Sequence, residues 1–289
     1  MNYTEIRKDV QLNRTISFSP ELDIFTHHFP SSPLFPGALS ALLLAETCGG
    51  PDWSLKKING LRFRKPLLPN LPIILSCNVV HESPTEKLCA GKIASGADTI
   101  ADGEFAFTRN ELSLTMESRL ESKTGVWTAS QIREYLPHGE PIVLIDQLVE
   151  ANYPSEIQDS ISGKNGSNLD QTKLVGTKIH TRSTLRPENF WLDQNALPSS
   201  VLSELVAQAG ALTLAPFFTG TKPQVSLLGC DTEYFALAKR GDTIDTFIEL
   251  TRVKRLGKIN NMIIFKGECY VGQIKIAQVS LNAMAIFQI

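Results

Sequence analysis

No stretch of this 289-residue sequence approaches the roughly 18 consecutive apolar residues of a membrane-spanning helix, and its first ten residues, MNYTEIRKDV, hold no apolar leader core. A cytoplasmic protein with no membrane span is expected. Charge of one sign is equally lacking. Against 28 basic residues stand 30 acidic ones, a net of -2, so no global field draws the chain to nucleic acid or to an anionic membrane. An acidic partner would have to be met by a local patch. Cysteine is sparse and scattered: Cys48, Cys77, Cys89, Cys230 and Cys269 are odd in number and never fall in a CxxC or Cys/His spacing suited to zinc. They read as reduced, buried small hydrophobes.

What is present occurs twice. The segments INGLRFRKPLL, IILSCNVVHE and KLCAGKIASG lead into TIADGEFAFT, separated by turns containing Pro, Asn and Gly, with partial alternation of apolar and polar residues. That pattern predicts an antiparallel meander. The same order returns in SLLGCDTEYFAL, DTIDTFIELTRV, NNMIIFKGECY and QIKIAQVSLNAMAIF. One helix is predicted before each meander, over Pro36 to Cys48 and over Pro198 to Leu212. PGALSALLLAE lies over PSSVLSELVAQ without a gap, the mark of an internal duplication.

The polar, weakly patterned RNELSLTMESRLESKTG reads as a linker, giving an N-terminal unit over 1–110, a linker over 111–126 and a C-terminal unit over 127–289. WTASQIREYLP suggests a short capped helix, PIVLIDQLVE a strand, and ANYPSEIQDSISGKNGSNLDQTKLVG a long polar loop. Pro in the first turn suits a helix start, because its missing N–H would be unpaired there anyway. A helix apolar on nearly every side must be enclosed, and each half offers only strands to enclose it. The expected class is therefore α+β, a double hotdog: two curved antiparallel sheets, each wrapped around one central helix, packed as a pseudo-dimer.

HFPSSPLFPG, from His28 to Gly37, resembles the HFPxxPxxPG motif of the hotdog 3-hydroxyacyl-acyl-carrier-protein dehydratases of the FabZ and FabA type. INGLRFRKPLLPN resembles the strand after that family's helix, YLPHGEPIVLIDQLVE its opening segment and LPSSVLSELVAQAGAL its central helix. The pairing is also similar to two small dehydratase-like proteins of aryl polyene pathways joined in one chain. The resemblance implies a histidine that removes the proton beside the thioester carbonyl, and an acid on the partner hotdog's helix that helps hydroxide leave as water. The first half has the base, His28, but Leu42 where the acid belongs. The second half has the acid, Glu204, but Phe190 where the base belongs. One composite site, His28 with Glu204, and one apolar site, Phe190 with Leu42, are expected.

Gly37 would offer its backbone N–H to the developing enolate at a helix N-terminus, with Ser199 in its place on the apolar side. Phe29, Phe35 and Pro36 are expected to touch substrate, and no metal or organic cofactor is required. The resemblance further implies a 3-hydroxyacyl chain on the phosphopantetheine arm of an acyl carrier protein. Arg62, Arg64 and Lys65, with Lys56 and Lys57, are candidates to dock that carrier. His27 and His138 read as structural, and His81 and His180 carry no signal. Rival readings are an R-specific enoyl-CoA hydratase using Asp23 with His28, a thioesterase, and a non-catalytic acyl- or carrier-binding partner of another dehydratase. Further homo-oligomerisation of the pseudo-dimer is compatible with this reading.

Overall fold

The computed structural model describes residues 11–28, 33–109, 115–116, 126–139, 142–162, 170–186, 196–217, 224–257 and 259–286. The first half runs β1 (Gln11–Ile16), α1 (Asp23–His27), α2 (Gly37–Gly49), β2 (Ser54–Phe63), β3 (Ile73–Glu82), β4 (Glu86–Ser95) and β5 (Asp98–Thr108). Next come β6 (Thr115–Met116), β7 (Trp127–Thr128), α3 (Ala129–Tyr135), β8 (Gln147–Asn152), α4 (Ser155–Ser162) and β9 (Lys178–Thr184). Last come α5 (Val201–Leu212), β10 (Gln224–Tyr234), β11 (Thr243–Arg255), β12 (Asn260–Val271) and β13 (Ile274–Ile286).

The strands form one antiparallel sheet, ordered β1-β3-β4-β5-β2-β10-β13-β12-β11-β9-β8-β7, with β6 against β13. Outward from the central β2–β10 pair, the two arms rhyme: β5, β4, β3 on one side answer β13, β12, β11 on the other. The seam brings Leu61 opposite Cys230 and Arg62 opposite Gly229. Along β13 nearly every second residue is buried, the period-2 signature of a strand with one face on the core. Helix α2 lies on β3 and β4, α5 on β11 and β13, and the two helices meet.

Glycine sets how closely each helix approaches its sheet. A Cβ on Gly267 of β12 would stand 2.6 Å from Val206 Cγ1 of α5 and 2.9 Å from Ile248 Cδ1. On β4, Gly91 faces the Cys48 sulfur of α2 at 3.2 Å by the same measure. Gly267→Ala should overpack the α5 interface and destabilise the chain by about 1–3 kcal/mol, read as a lowered urea midpoint at unchanged m-value, with Gly91→Ala milder.

The fold departs from the sequence pattern in a few places. Pro36 caps α2, and its helical turn starts at Gly37. PIVLIDQLVE becomes a strand only from Gln147, because the Leu144 N–H and the Ile142 carbonyl bond the Gln208 side-chain amide instead of a neighbouring strand. The long polar loop holds α4 and a 3-10 turn at Gln171–Leu174, anchored by the buried Ile157 and Leu174. Part of the linker, β6, pairs with Ile274 and Lys275. WTASQIREYLP does form a capped helix, with Thr128 and Gln131 as its capping box.

Candidate functional site

His28 is the C-cap of α1, its N–H donating to the Ile24 carbonyl at 3.1 Å. That turn sends the imidazole inward, where it is buried and its Nδ1 lies 3.0 Å from the Leu34 carbonyl oxygen. A carbonyl can only accept, so Nδ1 carries the proton and Nε2 is the acceptor nitrogen. Burial pushes the His28 pKa down to about 4, although the Leu34 carbonyl works the other way.

Glu204 lies in the first turn of α5 and is buried, as are its polar helix neighbours Ser200, Ser203 and Gln208. The Gln208 amide donates to Glu204 Oε1 at 3.1 Å and to the Ile142 carbonyl at 3.0 Å, while its oxygen accepts from Leu144 N–H at 2.9 Å. With every arm of that amide engaged, the carboxyl is held in one place. Burial raises the Glu204 pKa to about 7, against the opposing effect of the Gln208 bond.

A third group stands with them. His138, expected to be structural, follows α3 and places Nε2 3.5 Å from Glu204 Oε1, with its ring centroid 5.0 Å from that of His28. Donor atoms of His28, His138 and Glu204 all lie within 4.8 Å of one another. The turn carrying His138 is clamped across the two halves by Gly139, whose N–H donates to the His27 carbonyl at 2.6 Å. A Cβ there would be 3.1 Å from His27 Nδ1, so glycine permits the approach. His27 thus serves the site through its backbone. The signal for His138 was present in LPHG, but nothing in the sequence ties that turn to α5.

The three groups line one cavity of about 450 Å³. Gly37 and Ser40 of α2 line it, and Phe35, Phe63, Ile100, Val225 and Leu227 give it apolar walls. A side chain at Gly37 would meet Phe63 at 3.1 Å. The structure therefore brings His28, Glu204, Gly37 and Phe35 together. Pro36 is buried behind them, its carbonyl accepting the Ser40 N–H at 3.0 Å, and is not among the lining residues. Phe29, Phe190 and the Asp23 side chain lie outside the described residues. Leu42 and Ser199 are half-buried and away from this cavity.

Of the basic candidates, Arg64 and Lys65 line the cavity with side chains 45% and 53% exposed, which puts them at its mouth. Each is offset by a carboxylate: Arg64 bonds Asp102, with one contact at 3.0 Å, and Lys65 meets Asp98 at 2.7 Å. Arg62 lies instead in a separate groove with Lys92 and Glu104. Lys56 pairs with Glu86 at 3.5 Å. A second donor cluster, Cys48, Cys77 and Cys89, is sealed in the core between α2 and the sheet; all five cysteines are buried and none is in a disulfide. Among the described residues no helix is long and apolar enough to cross a membrane.

Residues 4–101 match the family model of ApeI-like proteins, described as the ApeI dehydratase. The 3-hydroxyacyl-[acyl-carrier-protein] dehydratase FabZ of Vibrio vulnificus is 27% identical over 99 residues, which are 30% of this chain and 66% of that enzyme. FabZ of Ehrlichia chaffeensis is 36% identical over 66 residues, 20% of this chain and 46% of that one. The chain thus spans under two thirds of these relatives. Over nearly its whole length it superimposes on the dehydratase domain of RzxB from Pseudomonas fluorescens, with TM-score 0.59, 11% identity and coverage of 96% and 95%. The tesB protein of Mycobacterium avium subs paratuberculosis gives TM-score 0.58, 10% identity and coverage of 94% and 92%. These likenesses establish the hotdog fold, and over residues 4–101 the chain is similar in sequence to the hotdog dehydratases.

Proposed function

We propose that this chain is a 3-hydroxyacyl-[acyl-carrier-protein] dehydratase with a single active site shared between two fused hotdogs. In this reading 1–110 and 127–289 are the two units of a pseudo-dimer and 111–126 joins them. The observation that carries it is the convergence of His28, at the end of α1 in the first half, with Glu204, from α5 in the second, in the lining of one largely apolar cavity.

The chemistry follows from the placement. His28 Nε2, unprotonated near neutral pH, removes the proton on the carbon beside the thioester carbonyl. Negative charge then develops on the thioester oxygen. The N–H of Gly37 in the first turn of α2 offers a hydrogen bond there, helped by the positive end of the helix dipole. The enolate collapses with expulsion of the 3-hydroxyl, which takes a proton from Glu204 and leaves as water, giving the trans-2-enoyl thioester. A carboxyl that keeps its proton to about pH 7 is suited to that donation. The apolar walls formed by Phe63, Ile100 and Leu227 suit an acyl tail, and the resemblance to FabZ favours a carrier-protein thioester as the form in which it arrives.

The test is loss of one water from 3-hydroxyacyl carrier proteins of graded chain length, followed by mass spectrometry of the acyl arm. Binding of those carriers with no water lost at any chain length would replace the enzyme by a non-catalytic acyl-binding partner. If both assigned groups act, kcat/KM should follow a bell. Its acid limb falls as His28 gains a proton near about pH 4, and its alkaline limb falls as Glu204 loses one near about pH 7. A profile flat between pH 6 and 9 would remove Glu204 as the acid.

A further inference from the structure

His28, His138 and Glu204 also have the composition of a metal site, and this follows from their geometry whatever the thioester chemistry. Two imidazoles and a carboxylate are a recurring three-ligand set for zinc, with a fourth position left open. Here all three donors are buried and lie within 4.8 Å of one another. Zinc to nitrogen or oxygen distances of about 2.0–2.2 Å put tetrahedral ligand atoms roughly 3.3–3.5 Å apart. His138 Nε2 and Glu204 Oε1 already stand 3.5 Å apart. The three donors span at most 4.8 Å, so a tetrahedral ion would draw the widest pair together by about 1 Å.

The surroundings match what a metal-binding histidine and carboxylate need around them. A ligating imidazole usually donates its other N–H to a carbonyl or carboxylate, which fixes the tautomer and aims the lone pair. His28 has this arrangement, with Nδ1 on the Leu34 carbonyl and Nε2 as the acceptor. Glu204 is oriented by Gln208, itself tied to Ile142 and Leu144. The trio opens onto the 450 Å³ cavity, so an ion has a route in and a water or an exchangeable ligand can complete its shell. Cys48, Cys77 and Cys89, by contrast, are fully buried and are not among the residues lining this cavity.

We propose that His28, His138 and Glu204 form a reversible binding site for a zinc-class divalent cation, and that occupation of this site inhibits the dehydratase. Inhibition rests on the reading of the active site given above. The ion would take the lone pair with which His28 removes the substrate proton, and the carboxyl oxygen from which Glu204 donates. The open fourth position faces the acyl cavity, so zinc and substrate compete for the same space.

The test is a titration of the full chain with zinc chloride against a chromophoric chelator, on wild type, His138→Asn, Glu204→Gln and Cys48→Ser. Wild type should take one zinc per chain with micromolar or tighter affinity. His138→Asn and Glu204→Gln should each weaken it at least tenfold, and Cys48→Ser should leave it unchanged. Cobalt(II) in place of zinc should give the intense visible bands of a tetrahedral site in wild type and lose them in His138→Asn. Affinity weaker than millimolar, equal affinity in His138→Asn, or loss of the site in Cys48→Ser would each overturn the proposal.

Binding and catalysis fail separately. If zinc binds through the three residues while no 3-hydroxyacyl carrier loses water, the site stands and the dehydratase reading falls. Water loss that is unaffected by zinc and by its removal with a chelator would sink the inhibitory role.

Discussion

Replacing His28 by alanine is expected to lower kcat for water loss by roughly 10²–10⁴-fold, the usual contribution of a positioned general base, with KM little changed. KM should hold because the apolar walls given by Phe63, Ile100 and Leu227 are left in place by the substitution. The loss should be nearly complete, and this completeness is informative. A dehydratase with two working sites would keep half its activity after losing one base. On the proposed reading the second half has Phe190 in the matching place and offers no reserve base. Asp23→Asn should leave most of the activity, whereas its abolition would favour the hydratase pairing of Asp23 with His28. Circular dichroism of His28→Ala should match wild type, since Leu34 loses only one hydrogen bond of about 1 kcal/mol. Half activity in His28→Ala would show a second functioning site and defeat the composite reading.

Much of this arrangement was legible in the residues, for physical reasons that differ from case to case. The meanders showed because β11, β12 and β13 bury one face, which writes a period of two into the sequence. β9 did not show, because its buried side chains include His180, Thr181 and Ser183; the polar letters hid an enclosed strand. His180 and Arg182 there share the Asp245 carboxylate, at 2.6 and 2.9 Å, so the burial is made tolerable by pairing that no local pattern reveals. α4 was hidden in the same way, since a polar helix anchored by Ile157 reads as loop until Leu174 is brought over it.

The site divides along the same line. Glu204 could be found because the family resemblance marks the place of the acid on the first central helix, at Leu42, and the duplication carries that place to 204. His138 has no counterpart in that template and belongs to a turn whose position is set by one backbone bond, from Gly139 to His27. Its contact with Glu204 is a tertiary fact. The charge of the basic rim was only half legible for a related reason: Arg64 and Lys65 sit close together in the chain, but the carboxylates that pair with them, Asp102 and Asp98, come from β5.

Glu204→Gln should separate activity from stability more sharply than any other change. Glutamine cannot donate a carboxyl proton, so kcat should fall by roughly 10²–10⁴-fold. Its amide oxygen can still accept from Gln208, so the local packing survives. Stability should move the opposite way. Because burial raises the native pKa from 4.5 to about 7, the folded chain holds a proton that the unfolded chain has released between those values. Wild type therefore loses stability as pH rises through that window, by about 3 kcal/mol for a shift of this size. Glutamine does not titrate and escapes the loss. The urea midpoints of the two proteins should nearly coincide at pH 4.5 and diverge in favour of the variant by pH 8. Comparing variant with wild type at each pH cancels His28, whose lowered pKa makes stability fall in the opposite direction, as pH drops from 6.5 towards 4. A variant that is inactive yet more stable at pH 8 would mark Glu204 as a group kept for chemistry against its cost to folding. An inactive variant less stable at every pH would make it a structural acid, and the assignment of the leaving-group proton would have to move elsewhere.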